Sequence, residues 1–257
     1  MTLTIGLAGV VGILLGLMGG GGSIVTVPLL MYVGGMEARA AIGVSLLVIG
    51  VGSMAALVPH AIGGHVRWRV GAIFGGAGMV GAFLGGRVAR FIPEALLIGA
   101  FGVMMVFTAV ALFRCRTCDG GESPQNKGPA AGKGRLLLQG LGVGLLTGLV
   151  GVGGGFLIVP ILILFSRLPT RAAVGTSLMV ISLNSLAGFT GHAAAFNSDL
   201  GLVIWLVGAC ATGSVIGSVF ADAIPQRILR RGFAAMVMTI AVVGFLGPTL
   251  LGQISRP

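Results

Sequence analysis

Gly16-Leu-Met-Gly-Gly-Gly-Gly-Ser-Ile-Val-Thr-Val-Pro28 returns, 132 residues on, as Gly148-Leu-Val-Gly-Val-Gly-Gly-Gly-Phe-Leu-Ile-Val-Pro160. Both copies sit inside apolar segments, where four consecutive glycines in the first and three in the second cannot sustain a helix: each costs about 1 kcal/mol relative to Ala and widens backbone freedom. The helix breaks there. In hydrocarbon, a broken backbone survives only where protein or a watery cavity supplies partners for its freed N–H and C=O groups. Two glycine breaks therefore predict one shared polar site.

Composition sets the class. Of 257 residues, 56% are hydrophobic and 9% charged, the mean hydropathy is +1.08, and apolar runs of about twenty residues recur from end to end. The chain reads as an all-α polytopic membrane protein, multi-pass in a cell inner membrane or plasma membrane, with the lipid bilayer as its surroundings. Its 48 glycines suit close approach of helices in lipid, where no hydrophobic force drives one against another. The formal charge of +10 would suggest nucleic acid in a soluble domain. Here the basic residues occupy short connections and set orientation, so no nucleic acid is expected. The amino terminus runs straight into apolar sequence without a basic region, which predicts no cleaved leader. Cys115 and Cys118 form a lone Cys-x-x-Cys in a polar connection, half a zinc site at most, so no metal or cofactor is expected.

In order, the chain predicts an apolar helix over 3–18, the break at Gly19 to Gly22, and a half-length helix from Ser23 to Val33. That second piece reaches only about 17 Å against roughly 30 Å of hydrocarbon. Spans follow over 40–58, 70–89 and 95–113, with His60, His65, Arg67 and Arg69 in a basic loop between the first two. Residues 114–135 form a polar linker. The second half repeats the first without a gap: Ala38-Arg-Ala-Ala-Ile-Gly-Val-Ser-Leu46 returns as Thr170-Arg-Ala-Ala-Val-Gly-Thr-Ser-Leu178, Ser53 as Ser185, His60 as His192 and Pro93 as Pro225. The expected organisation is a first repeat over 1–113, a cytoplasmic linker over 114–135 and a second repeat over 136–257.

Charge decides how the copies face. If the pieces flanking each break form a hairpin, each repeat crosses the membrane an odd net number of times and the second copy is inverted. Then 12 basic residues share one side (Arg67, Arg69, Arg114, Arg116, Lys127, Lys133, Arg135, Arg167, Arg171, Arg227, Arg230, Arg231) and 4 the other (Arg39, Arg87, Arg90, Arg256). Parallel copies would divide them 8 against 8. The positive-inside rule selects two inverted repeats, each a glycine-broken hairpin plus three transmembrane helices, with the linker cytoplasmic and both termini outside.

A half-helix beginning inside the bilayer aims its orphan N–H groups and positive dipole end at the interior, where they attract anions. Candidate contacts to a small anionic substrate are Gly20, Gly21, Gly22 and Ser23 from one break and Gly153, Gly154 and Gly155, with Val152, from the other. Tight packing of helices is the competing role for these glycines. Ser45, Ser53, Ser177 and Ser185 in the following spans are further candidates, although membrane serines often only bond their own helix. Asn184 stands apart. Its counterpart in the first copy is Gly52, and a buried amide needs partners. His60 and His192, close to helix ends, either cap and pack or contact a proton or the substrate. Asp and Glu are confined to Glu37, Glu94, Asp119, Glu122, Asp199 and Asp222, all at loops or span ends. A proton- or sodium-driven carrier usually holds carboxylates within the membrane, so membrane potential is the expected driving force.

These residues resemble the sulfite exporter TauE/SafE family, also called the toluene-sulfonate uptake permease family. The likeness rests on two glycine breaks closing in Pro28 and Pro160, each followed by Arg-Ala-Ala-[Ile/Val]-Gly-x-Ser-Leu, and it covers nearly the whole chain apart from the linker. It implies a permease exporting or importing sulfite, sulfonates or related sulfur-containing or organic oxyanions. One departure is Ser23 where the second break has Gly155. An anion channel shares every feature quoted, and a non-transporting membrane assembly partner is the remaining alternative; a homodimer is open as the assembly. No nucleophile-base set, nucleotide fingerprint or metal-ligand cluster supports an enzyme.

Overall fold

The computed structural model describes residues 2–20, 22–89, 91–93, 96–97, 99, 133–150, 155, 158–159, 161–162, 168–192 and 200–221. Among them are seven helices and no strand: α1 (Thr2–Met18), α2 (Ser23–Tyr32), α3 (Ala38–Ile62), α4 (Trp68–Ala89), α5 (Lys133–Val150), α6 (Thr170–His192) and α7 (Leu200–Phe220). α3, α4, α6 and α7 are long and apolar enough to cross a membrane. All of the expected span over 95–113 except residues 96, 97 and 99, the linker up to residue 132 and everything after 221 lie outside the described residues.

Glycine punctuates these elements where the backbone enters the left-handed region. α1 stops because Gly19 (φ 63°) and Gly20 (φ 134°) leave helical conformation, and α2 then runs for ten residues with Pro28 inside it. The half-length helix expected from Ser23 is therefore present. α3 runs further than expected, through Pro59 and His60 to Ile62, until Gly64 (φ 69°) ends it. His60 accordingly belongs to the last turn of a helix rather than to the basic loop. Proline is tolerated inside membrane helices because neighbours re-satisfy the freed carbonyl, so α3 continues through Pro59. α5 likewise begins at Lys133, two residues before the expected end of the linker.

Two glycine seams hold the bundle. Along α4 and α5, a methyl on Gly140 would strike the Phe74 carbonyl, one on Gly144 that of Gly78, and one on Gly148 that of Ala82. Along α1 and α7 the same relation joins Gly12 to Cys210, Gly16 to Ser214, Gly213 to Gly9 and Gly217 to Ile13. In both seams the numbers rise together, so the helices run parallel, with backbones touching in the way small residues permit in lipid. α3 and α6 cross in the opposite sense: Gly43 lies by His192, Gly50 by Ser185 and Leu186, and Gly175 by His60. α4 runs with α6, as Gly71 meets Thr176, Gly78 meets Asn184 and Gly86 meets Gly191. Gly52 touches Leu15, and Gly19, one turn beyond Leu15, reaches Val174 and Ser177 beside the level of His60, so α1 rises with α3.

Helices α1, α3 and α7 thus point one way, and α4, α5 and α6 the other. Because α1 and α3 agree, the segment between them must return across the membrane. Gly22, at the start of α2, is already back beside Val11 and Leu15. α3 and α6 are the central pair: 67% and 72% of their spans are buried, against 44% and 39% for α4 and α7. Val44, Val48 and Ile49 of α3 and Val180 and Ile181 of α6 all belong to the buried core, while Val80 and Leu84 of α4 and Ile204 and Trp205 of α7 face outward, as lipid requires.

Candidate functional site

The first glycine break is held from across the bundle. Ser177 Oγ donates to the Gly19 carbonyl at 2.6 Å, bifurcating with the Val174 carbonyl at 2.7 Å. Ser23 turns its hydroxyl back onto the Gly20 carbonyl (2.6 Å), and its N–H reaches the same oxygen at 3.2 Å. Ser23 therefore satisfies the loop with its proton and keeps only lone pairs for other contacts. α2 begins at Gly22 without any side-chain cap.

The first break touches Gly155 of the second glycine run. A methyl group on Gly20 would lie 2.5 Å from Gly155 Cα and 2.6 Å from its carbonyl carbon, and one on Gly155 would lie 2.6 Å from Gly20 Cα and 2.5 Å from Ile181 Cδ1. Only paired glycines allow this approach. Gly21, Gly153 and Gly154 lie outside the described residues, as does Val152.

From the break, one face of α6 leads into the centre of the bundle: Ser177, Ile181, Asn184 and Ser185 share a stripe at helical spacing. Asn184 and Ser185 are wholly buried, as is Ser53 on α3, and neither amide atom of Asn184 nor either hydroxyl has a hydrogen-bond partner. Asn184 presses on the backbone of Gly78, whose methyl would lie 2.6 Å from Nδ2, and Ser185 stands beside Gly50. An unpartnered buried polar group costs about 1–3 kcal/mol, so these residues are either waiting for a partner or held at that cost. Ser45 is buried and donates to the Ile42 carbonyl at 2.7 Å.

His60 and His192 end at opposite faces of the bundle, since α3 and α6 are antiparallel. His192 Nδ1 lies 3.1 Å from the Gly188 carbonyl, and a methyl on Gly86 would meet the same nitrogen at 2.8 Å. His60 packs on Gly175, with its ring centroid 6.4 Å from that of His65. Thr176 ties the ends together, accepting from the Arg67 N–H at 3.0 Å while donating to the Ala172 carbonyl at 2.6 Å. No group of three or more metal-ligating side chains occurs among the described residues.

Sequence reasoning missed the glycines that receive these polar groups. Gly78 and Gly50 carry no chemistry of their own, yet they seat Asn184 and Ser185. The repeat offset held the signal: Asn184 against Gly78 corresponds to Gly52 against Cys210, where a methyl on Gly52 would lie 2.8 Å from Sγ. Large and small have exchanged sides. Ser214, also passed over, donates to the Gly52 carbonyl at 2.7 Å, whereas its counterpart in α4 is Ala82.

A multi-pass α-helical bundle with a broken helix packed on a glycine of the second repeat near buried polar side chains fits the architecture of a membrane transporter. The chain belongs to the family described as "Sulfite exporter TauE/SafE", whose profile matches residues 4–244; it is a transporter, not an enzyme. It is similar to a "Probable membrane transporter protein" of Xylella fastidiosa (strain 9a5c), 35% identical over 250 residues, covering 94% of each chain. The probable membrane transporter protein YunE of Bacillus subtilis (strain 168) is 30% identical over 264 residues, covering 92% of this chain and 91% of its own. MJ0441 of Methanocaldococcus jannaschii, described in the same words, is 29% identical over 189 residues, 71% of this chain and 68% of its own. No solved structure matches this chain.

Proposed function

We propose that the protein carries a small oxyanion, of the sulfite or sulfonate class or a related organic acid, bound where the two glycine breaks meet. The observation that carries this reading is the backbone contact of Gly20 with Gly155 against Ile181 of α6, one turn before the buried, unpartnered Asn184 and Ser185, with Ser53 equally unpartnered on α3. Backbone N–H groups at helix starts and neutral donors are what an anion needs in a dry site. The family's description, naming sulfite export, agrees in chemistry.

Two inverted repeats, over 1–113 and 136–257 with residues 114–135 between them, account for the packing. Shifting either glycine seam by 132 residues generates the other, and equivalent helices (α1 with α5, α3 with α6, α4 with α7) point in opposite directions. The amino ends of α4, α5 and α6 bring Arg67, Arg69, Lys133, Arg135 and Arg171 to one face, while Arg39 and Arg87 sit at the other. The first face is accordingly cytoplasmic.

The close contact of the breaks favours a carrier that alternates access over an open channel. Glu37, exposed at the start of α3, is the single acidic residue among those described, so no described span offers a carboxylate for ion coupling. An anion leaving an inside-negative cell gains about 2.3 kcal/mol per charge per 100 mV. The test is a thermal-shift screen of purified protein against sulfite, sulfate, thiosulfate, sulfoacetate, taurine and aliphatic carboxylates, followed by counterflow in proteoliposomes. A binder raises Tm by mass action, and trans-stimulated flux identifies a carrier. Failure of every anion both to bind and to move would refute the proposal.

A further inference from the structure

Asn184, Ser53 and Ser185 differ from their neighbours. Ser45, Ser177 and Ser182 each donate to a carbonyl three residues back, at 2.7, 2.7 and 2.8 Å. That bond is open to any helical serine, yet Ser53 and Ser185, equivalent in the sequence repeat, both leave it unmade and are wholly buried. Beside Ser185, both amide atoms of Asn184 are equally unpartnered. All three groups lie on two of three helices that pack together, with α4 supplying Gly78 as the third side. Ser185 adjoins Gly50, Asn184 adjoins Gly78, and Ser53 lies one turn along α3 from Gly50.

A carboxamide presents two donors and an acceptor. A fully deprotonated oxyanion has acceptors only, and would set its negative oxygens against Asn184 Oδ1. A monoprotonated oxyanion satisfies both ends. Which amide atom points where is immaterial, since neither has a partner. Resting on the anion reading above, we propose that Ser53, Asn184 and Ser185 select the monoprotonated form of the oxyanion: Asn184 Oδ1 accepts from its O–H, and Asn184 Nδ2 and the two hydroxyls donate to its anionic oxygens. The proton then crosses on the substrate, bonded to the same oxygen throughout, which removes the need for a carboxylate relay. The recognition is one-sided, because Gly52 and Cys210 stand where the first repeat would need an amide and its seat.

The experiment uses the full chain in nanodiscs, with hydrogen sulfite and methanesulfinate as probes, at a pH where sulfite is mainly monoprotonated. Methanesulfinate replaces the O–H by a methyl and keeps only acceptors. Wild type is expected to bind hydrogen sulfite at least about tenfold more tightly, the scale of one charge-assisted hydrogen bond. Asn184→Leu, similar in volume, should abolish that preference while leaving the ligand-free Tm equal or higher, because an unpartnered amide has been replaced by an apolar group. Ser53→Ala and Ser185→Ala should weaken both anions alike at unchanged ligand-free Tm. Equal affinities in wild type, a preference that survives Asn184→Leu, or a ligand-free Tm that falls in Asn184→Leu would each overturn the inference. Should both anions bind wild type equally, this inference alone falls; should neither bind, the anion reading falls with it.

Discussion

Gly20→Ala puts the junction of the two breaks to the test. At φ 134° the backbone occupies a region open essentially to glycine, and a side chain there costs about 1–3 kcal/mol. The new methyl would also lie 2.5 Å from Gly155 Cα, backbone that cannot rotate aside, and overpacking of this kind adds about 1–3 kcal/mol. The sum is about 2–6 kcal/mol. Since each 1.4 kcal/mol is tenfold, even the lower figure shifts the balance between packed and opened junction about 30-fold. Gly76→Ala and Gly208→Ala are the controls: both glycines are helical with nothing within 4 Å of an added methyl, so alanine should be neutral or stabilising by up to about 1 kcal/mol. The assay pairs Tm in detergent with anion flux into proteoliposomes at matched protein incorporation. Gly20→Ala should insert normally, lose several degrees of Tm and fall at least tenfold in flux, while both controls keep wild-type values. Gly20→Ala with the flux and Tm of its controls would refute the junction as the working centre of the molecule.

Ser177→Ala leaves the Gly19 carbonyl without its 2.6 Å donor and should destabilise by about 1–3 kcal/mol, read as lower Tm; an unchanged Tm would show that the break does not depend on α6. For orientation, Glu37→Cys should react with an impermeant maleimide applied outside cells and Arg69→Cys should not, in a background with Cys115, Cys118 and Cys210 replaced. The reverse pattern would invert the assignment of the basic face. If potential drives transport, changing His60, His65 and His192 together to Gln should alter flux modestly and preserve its response to a potassium–valinomycin clamp. Flux that ignores voltage and collapses in that variant would make the histidines a proton relay.

Hydropathy, the glycine runs and the repeat offset are local or periodic properties, and they carried the reading far. The apolar runs announced the spans, the four glycines placed the end of α1 at Met18, and the offset paired Ser53 with Ser185 before any contact was known. Where local reasoning failed, the cause lay in the surroundings. The span expected over 40–58 runs on through Pro59 to Ile62, because a proline that would break a helix in water is tolerated in a packed membrane bundle. Ser23 and Ser185 looked alike as candidate donors, but Ser23 spends its proton on Gly20 while Ser185 has no partner.

By itself, then, the sequence determined an all-helical membrane chain with its motifs written twice and a helix end at Met18, because chain-local chemistry decides where a helix is stable in lipid. Only the tertiary structure decided that Gly20 rests on Gly155, that α3 and α6 cross antiparallel, and that Asn184 is seated on Gly78 with both amide atoms unpartnered. Those facts depend on which backbone arrives opposite each residue from more than a hundred positions away, and a glycine's part in such a contact is the space left by a side chain that is not there.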